Sequence, residues 1–311
     1  MVDRQEPEVL VVGAACVDIK GQPCEELTPG TSNRGQIQIT PGGAARNIAE
    51  NLARLNVRTT LLSVVGTDHY ARMILEHTAN AGVDTSYVRV AAGTPSAIYL
   101  AVLDKSGHLA VSIDEMTSME LLNPPYIYAH RSLIEQASMV VVDANLTPNA
   151  LGTVIALARR SHVPVCITTV SVGLARKTRR YLRDYAILIA NMDEASVLCG
   201  TPITTVDEAA VGAHQLVAAG VKLAIITLGP RGLVYATGTS NGYIPAIQCE
   251  VLDATGAGDA LAGAVIYGRI NGFPDDEALR LGVSAATLTL TCRDTVCRDL
   301  NQETLYQRMV I

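Results

Sequence analysis

The sequence lacks the patterns that mark membrane, nucleic-acid-binding and disordered proteins. No uninterrupted apolar run in its 311 residues approaches the ~18 residues of a membrane span. The net charge of −6 comes with no basic stripe, which argues against sequence-independent binding of nucleic acid. An apolar fraction of 49% with only 17% charged residues excludes a disordered chain. We therefore expect a soluble, globular protein that binds neither a membrane nor a nucleic acid.

Paired cysteines and a targeting segment are also missing. The seven cysteines are odd in number and none forms a CxxC pair. Cys292 and Cys297 have no second pair that would complete a zinc site. The first residues, MVDRQEPE, contain neither the hydrophobic region of a signal peptide nor an Arg- and Ser-rich transit helix. These observations predict reduced thiols and a cytoplasmic location.

Short apolar runs alternate with amphipathic stretches of helical length along most of the chain. The runs predict strands at 9–12, 59–65, 139–142, 163–169, 186–190 and 223–228. The stretches predict helices at 44–55, 69–81, 147–160, 206–219, 257–270 and 275–290. Such alternation favours an α/β fold in which helices cover both faces of a mostly parallel sheet.

Two segments break this rhythm. Residues 36–40 alternate polar and apolar side chains, and residues 98–103 and 109–113 flank the turn DKSG, which is typical of a β-hairpin. We expect one domain spanning 1–311, with a small β lid whose strands come from about 33–41 and 95–116. An exposed lid edge favours pairing into a homodimer.

The segment Asp253-Ala254-Thr255-Gly256-Ala257-Gly258-Asp259 carries the strongest chemical signal. Its glycines leave backbone N–H groups bare at the start of a helix, which is an anion site because the helix dipole is positive there. Asp259 in that first turn is either a carboxylate stabilised by the dipole or a general base beside an anion hole. The second interpretation suits phosphoryl transfer, since the N–H groups would neutralise the transferring group.

Other nucleotide and hydrolase motifs fit poorly. A dinucleotide-binding fingerprint would need a third glycine where Leu261 stands, and it would follow the first strand. The P-loop pattern GxxxxGK[ST], the HRD and DFG sequences of protein kinases and the GxSxG of hydrolases are absent from the sequence.

Two further clusters lie where predicted strands meet helices. In the stretch TPGGAARN, paired glycines at 42 and 43 let the backbone approach a ligand, with Asn47 on the first helical turn. In the stretch NMDE, Asn191 and Glu194 follow a strand. They are either helix caps or an amide and a carboxylate suited to water-mediated contacts with Mg²⁺ and phosphate.

Together these segments resemble the PfkB (ribokinase-like) family of carbohydrate and nucleoside kinases over nearly the whole chain. The family signature DTxGAGD matches Asp253–Asp259, with Ala254 where threonine is usual. Its NxxE motif matches Asn191–Glu194, and its double glycine matches Gly42-Gly43. Its substrate aspartate matches Asp18, and its T-x-G-x-x-G pattern matches Thr227–Gly232. The resemblance implies a three-layer ribokinase-like fold and phosphoryl transfer from ATP, with Mg²⁺ and in some relatives K⁺.

The resemblance also implies roles for individual residues. The catalytic group comprises Asp259 as the base and Gly256, Ala257 and Gly258 as the anion hole. Substrate would be bound by Asp18, Gly42, Gly43, Asn47 and Asn145. The nucleotide side would be formed by Asn191, Thr227, Gly229 and Gly232. Metal contacts would come from Glu194 through water and from Asp253 and Thr255 at a monovalent cation.

Within the family, the stretch Ser32–Ala53 is most similar to the pseudouridine kinases, which implies transfer to the 5′-hydroxyl of a ribosyl substrate. The sequence departs from the family's usual residues at Thr168-Thr169, where DP is common, and at Ile189-Ala190, where KP is common. Ala44 replaces a lysine of the ribokinases, which suits a nucleoside better than a free sugar. Another sugar or nucleoside kinase and a non-catalytic sugar-binding member are the alternatives; the intact Asp259 argues against the second.

Overall fold

The computed structural model describes residues 8–309. The expectation about a targeting segment falls almost entirely on residues 1–7, which lie outside the described residues. Among the helices of the described part, none is long and apolar enough to span a bilayer.

Strands and helices alternate along the chain as the sequence pattern predicts. The strands are β1 (Glu8–Val12), β2 (Cys16–Pro23), β3 (Gly35–Gly42), β4 (Arg58–Val65), β5 (Val88–Val90), β6 (Ala97–Leu103), β7 (Leu109–Glu115), β8 (Met139–Asp143), β9 (Val165–Thr168), β10 (Tyr185–Asn191), β11 (Leu223–Thr227), β12 (Leu233–Thr237) and β13 (Asn241–Ile244). The α-helices are α1 (Ala44–Arg54), α2 (His69–Asn80), α3 (Pro124–Ala129), α4 (Arg131–Gln136), α5 (Pro148–Arg160), α6 (Val172–Thr178), α7 (Met192–Cys199), α8 (Val206–Ala218), α9 (Ala257–Ile270), α10 (Asp275–Leu290) and α11 (Gln302–Gln307). Short 3₁₀ helices occupy Thr117–Leu121, Arg179–Asp184 and Gly229–Arg231.

A nine-stranded sheet forms the centre of the molecule, in the order β13-β12-β11-β10-β9-β8-β1-β4-β5. The seven strands from β11 to β5 run parallel, and β12 and β13 add an antiparallel edge. The predicted α/β class with a mostly parallel sheet is confirmed. The antiparallel edge was not predicted, because its two short strands follow a turn rather than a helix.

Alternation of side chains along the strands builds a separate core on each face of this sheet. In β1, Val9 and Val11 belong to one core, while Leu10 and Val12 belong to the other. Helices α1, α2, α9, α10 and α11 cover the first core, and α3 to α8 cover the second. The result is the three-layer arrangement expected from continuous apolar strand runs.

A smaller four-stranded sheet, β3-β2-β6-β7, forms the lid. The hairpin of β6 and β7 has the predicted antiparallel pairing around the DKSG turn. The sequence pattern does not predict β2, because CVDIKGQP contains a glycine, a proline and two charged residues in eight positions. This strand alternates between faces, so Asp18 and Lys20 point to the side opposite Ile19.

The lid sheet has one polar and one apolar face. Directly paired residues share a face of a sheet. One row across the four strands is Thr40, Asp18, Tyr99 and Asp114; the adjacent row on the other face is Ile39, Ile19, Leu100 and Ile113. The polar face therefore carries the expected substrate aspartate.

Candidate active site

The first turn of α9 has the open backbone expected of an anion site. Gly256 is the N-cap with φ of 83°, and a Cβ there would lie 1.9 Å from the carbonyl oxygen of Thr295. Only glycine tolerates both the left-handed conformation and this close approach. A Cβ on Gly258 would meet no atom within 4 Å, so its surroundings are open. The first N–H groups of a helix lack intrahelical acceptors, which leaves those of Gly258 and Asp259 for a ligand, while the Ala257 N–H donates to the carbonyl oxygen of Ala254 at 3.4 Å.

Asp259 lies in this turn and is held by α1. The Asn47 side-chain amide donates to Asp259 Oδ2 at 2.7 Å across 212 residues of sequence. Burial raises the pKa of Asp259 to about 7, against the lowering effect of the Asn47 bond, and the nearby carboxylates of Asp143 and Asp18 raise it further. A carboxylate with a pKa near neutrality suits proton abstraction at neutral pH.

The double glycine brings the start of α1 against β2, which carries the expected substrate aspartate, and the residues just before it. Gly43 is the N-cap of α1 with φ of 94°, and a Cβ there would lie 2.4 Å from the carbonyl oxygen of Ala14. A Cβ on Gly42 would lie 2.1 Å from Asp18 Oδ1. The carboxylate of Asp18 therefore packs directly on the backbone of Gly42, and burial raises its pKa.

Arg46 orients the amide of Asn47. It is fully buried, and its guanidinium donates to Asn47 Oδ1, to Glu50 Oε2 at 2.5 Å and to Thr295 Oγ1 at 3.2 Å. Because Asn47 Oδ1 accepts from this guanidinium, its Nδ2 is the atom that faces Asp259. Burial opposes ionisation of Glu50, but the hydrogen bond from His77 and the contacts with Arg46 and Arg54 outweigh that effect and lower its pKa to about 2.

Asp143 is a second buried carboxylate, at the carboxyl end of β8. Its Oδ2 accepts from the backbone N–H groups of Ala14 at 2.8 Å and Ala45 at 3.1 Å, and its Oδ1 accepts from that of Asn145 at 2.8 Å. It thus joins the end of β1 to the start of α1. Asn145, expected at the substrate, lies next to this carboxylate.

Asp253 and Thr255, expected at a monovalent cation, are bonded to protein atoms. Asp253 Oδ1 accepts from the backbone N–H of Thr255 at 2.8 Å, and Asp253 Oδ2 pairs with Lys20 Nζ at 2.5 Å. Both carboxylate oxygens have partners, and the ammonium neutralises the charge. The contacts at Asp253 do not fit a monovalent cation.

The expected nucleotide side begins with a helix cap. Asn191 Oδ1 accepts from the N–H of Glu194, and Glu194 Oε2 accepts from the N–H of Asn191, each at 2.9 Å. This is a capping box, so the capping alternative left open by the sequence is realised. Glu194 Oε2 also accepts from Thr169 Oγ1 at 2.6 Å, which gives a structural role to one residue of the unusual Thr168-Thr169 pair.

The remaining nucleotide-side residues lie on the neighbouring strand and its turn. Thr227 is paired with Asn191 in the register of β11 and β10. Gly232 has φ of 99°, and a Cβ there would lie 2.1 Å from the carbonyl oxygen of Ile244, whereas Gly229 faces open space. Gly232 is therefore needed by the turn that joins β11 to β12. Across residues 8–309, no group of three or more His, Cys, Asp or Glu side chains is arranged to hold a metal.

Three residues of this region escaped sequence analysis: Lys20, Arg46 and Asp143. Asp143 had a usable signal, because it directly follows a predicted buried strand whose carboxyl end faces the site. Lys20 is two positions from Asp18, the spacing that keeps two side chains on one face of a strand. Nothing local to Arg46 predicts its burial.

Comparison with known proteins agrees with this geometry. The model of the pfkB family of carbohydrate kinases matches residues 6–299. The chain belongs to the pfkB family. The pseudouridine kinase of Escherichia coli is 31% identical over 299 residues, which cover 96% of this chain and 95% of that protein. The guanosine-inosine kinase of Exiguobacterium acetylicum is 28% identical, with coverage of 90% and 93%.

The fold comparison shows the same architecture. The structure of Arabidopsis thaliana ribokinase complexed with ribose and ATP superposes with a TM-score of 0.87 over 99% of this chain and 100% of that one, at 22% identity. The resemblance inferred from the DATGAGD and NxxE segments is thus confirmed, as is the ribokinase-like fold. Membership of the pfkB family makes this protein a kinase that transfers a phosphoryl group to a hydroxyl acceptor.

Proposed function

We propose that this pfkB-family kinase transfers the γ-phosphoryl group of ATP to the 5′-hydroxyl of pseudouridine. The observation that carries the catalytic part is the Asn47–Asp259 bond of 2.7 Å at the first turn of α9. It holds a carboxylate beside free helix N–H groups, so one turn of chain presents both the base and the anion hole.

The reaction follows from that arrangement. Asp259 accepts the proton of the substrate hydroxyl, and the hydroxyl oxygen attacks the γ-phosphorus while the bond to the β-phosphate oxygen breaks. The open backbone N–H groups in the first turn of α9, that of Gly258 among them, stabilise the negative charge on the transferring group. The structure of Arabidopsis thaliana ribokinase, which shares this fold, is complexed with ribose and ATP.

The strand edge at β10 fits an accompanying Mg²⁺. This ion is commonly held by one or two carboxylates together with water and phosphate. Glu194 supplies one buried carboxylate at this edge, in agreement with a contact through water. When bound, Mg²⁺ would neutralise phosphate charge.

The polar face of the lid favours a nucleoside. Asp18 lies on the polar face of the lid, where its carboxylate can bind ribose hydroxyls. Asn47 lies beside Asp259, at the end of the site where the substrate hydroxyl attacks. Asp114 is in the same row, two strands away, where its exposed carboxylate is an acceptor for the additional ring N–H of pseudouridine. A bound nucleoside that covers this carboxylate excludes water from it, so uridine, which lacks the N–H, would leave the acceptor unpaired.

A coupled ADP-release assay tests the substrate, with pseudouridine, uridine, guanosine, inosine and ribose supplied separately with ATP and Mg²⁺. We expect pseudouridine to give the highest kcat/KM and uridine and ribose to be much poorer. Faster turnover of guanosine or inosine would move the assignment towards the guanosine-inosine kinase relative. Lack of turnover with every compound would favour the non-catalytic alternative.

The proposal includes a homodimer formed through the apolar face of the lid. Ile37 on β3 is 74% exposed, and on β7 Ile113 is 66% and Leu109 and Val111 are 55% exposed each. These two strands are the opposite edges of one small sheet. Exposed apolar patches of this kind mark association surfaces. Sedimentation of Ile37→Lys and Ile113→Lys variants should give monomers if the lid mediates pairing.

Seven free cysteines agree with the proposed cytoplasmic location.

A further inference from the structure

A buried ammonium lies against the loop that leads into the anion hole. Lys20 is on the polar face of β2 and is only 7% exposed. Its Nζ is 2.5 Å from Asp253 Oδ2, across 233 residues of sequence. Removing an ammonium from water is costly unless a counter-charge and hydrogen bonds replace the solvent. The pair is therefore a specific element of the site.

Asp253 transmits this contact to the turn before α9. Its Oδ1 accepts from the Thr255 N–H, and the next residue is Gly256, the left-handed N-cap. The Lys20 ammonium holds Oδ2 of Asp253, and Oδ1 of the same carboxylate holds the turn before α9. Lys20 is thus linked through one carboxylate to the turn that precedes the first N–H groups of α9.

We propose that the Lys20 ammonium is a built-in cation of the anion-hole loop, so that catalysis by this chain does not require a monovalent metal ion. This inference rests on the proposed kinase reaction. Lys20 acts as a positioning residue through Asp253 and Thr255. The ion pair supplies the positive charge and the carboxylate orientation that the expected cation would have supplied.

The first test compares rates of the unaltered enzyme in potassium, sodium and tetramethylammonium chloride at equal ionic strength. Equal rates are expected, and a requirement for potassium would overturn the proposal. If no nucleoside is phosphorylated in any salt, the proposed reaction fails, and the ligand-free measurement below still decides the role of Lys20.

Two substitutions separate charge from space. Lys20→Ala and Lys20→Met both remove the ammonium, which should lower kcat by roughly 10–100-fold in tetramethylammonium chloride because a charged hydrogen bond is lost. Only Lys20→Ala leaves room beside Asp253, so only this variant should regain activity with potassium. Unchanged kcat in Lys20→Met, or no potassium effect on Lys20→Ala, would overturn the proposal.

Thermal unfolding without ligands provides a readout that needs no activity. Potassium should raise the Tm of Lys20→Ala relative to tetramethylammonium and leave that of Lys20→Met unchanged. Lys105→Ala is the matched control, because Lys105 pairs with Glu25 at an exposed site of the same lid. If Lys20→Ala does not fold, Asp253→Asn replaces it: a slower enzyme indifferent to potassium is expected, and an unchanged kcat would overturn the role of the pair.

Discussion

The two ends of the site are built by different means. At the end formed by α1 and α9, side chains far apart in sequence bind one another: Arg46 to Thr295, and Asn47 to Asp259. At the β10 end, the contacts of Asn191 and Glu194 are those of a local capping box, with Thr169 added. The first arrangement buries charge at a cost that capping does not incur, which indicates selection for chemistry rather than for helix formation alone.

The largest expected effect is on kcat, and it tests whether Asp259 is a general base or only a charge at the helix terminus. Asp259→Asn keeps the side-chain shape and removes the proton acceptor, so kcat should fall by roughly 10²–10⁴ while substrate binding survives. Asp193→Asn is the control, because Asp193 is an exposed carboxylate in the first turn of α7. Similar kcat values for the two variants would mean that Asp259 only interacts with the helix dipole.

The next effect concerns the network behind Asn47. Arg46→Met leaves Glu50 without its closest buried cation and should lower the free energy of unfolding by about 3–5 kcal/mol. It should also lower kcat, since Asn47 loses the contact that orients its amide. Arg54→Met is the control, because Arg54 is half-buried and also forms an ion pair with Glu50, at 2.7 Å.

Denaturant unfolding and kcat measured on both variants decide the point. A loss of kcat that is equal for Arg46→Met and Arg54→Met would show that the network matters only for stability. Arg46→Lys keeps a charge without the fork that binds both neighbours, so its kcat should lie between those of the parent and Arg46→Met.

The pH dependence should follow from the raised pKa of Asp259, about 7. Only the ionised carboxylate accepts a proton, so kcat/KM should fall about tenfold per pH unit below that value. Stability has the opposite sign: the folded state holds the proton more tightly, so the free energy of unfolding decreases as pH rises from the ordinary carboxyl pKa to about 7. Asp259→Asn should weaken this decrease, to which Asp18 and Asp143 still contribute because burial raises their pKa values as well. Tm measured across the range checks it.

The smallest effect tests the other end of the site. Asn191→Ala and Asn301→Ala each remove the side chain of a capping box, so each should cost about 1 kcal/mol of stability. Only Asn191→Ala should raise the KM for ATP if this cap also contacts the nucleotide. Equal KM values for both variants would reduce Asn191 to a helix cap.

Local patterns were sufficient to predict most of the fold. The helices at 257–270 and 275–290 have the predicted bounds, and β1 and β4 differ from prediction by one residue each. Strand β2 and the β12–β13 edge were missed because polar residues and short length weaken the alternation signal.

The sequence by itself determined the parts of the site whose chemistry is local: the glycines that open the turn before α9, the carboxylate of Asp259 in that turn and the capping box at Asn191. Tertiary structure alone decided that Lys20 forms an ion pair with Asp253 and that Arg46 turns the Asn47 amide towards Asp259. Burial is the physical reason, since the pKa of a carboxylate and the strength of an ion pair depend on what surrounds them after folding. Residues more than 200 positions apart share that environment only in the folded chain.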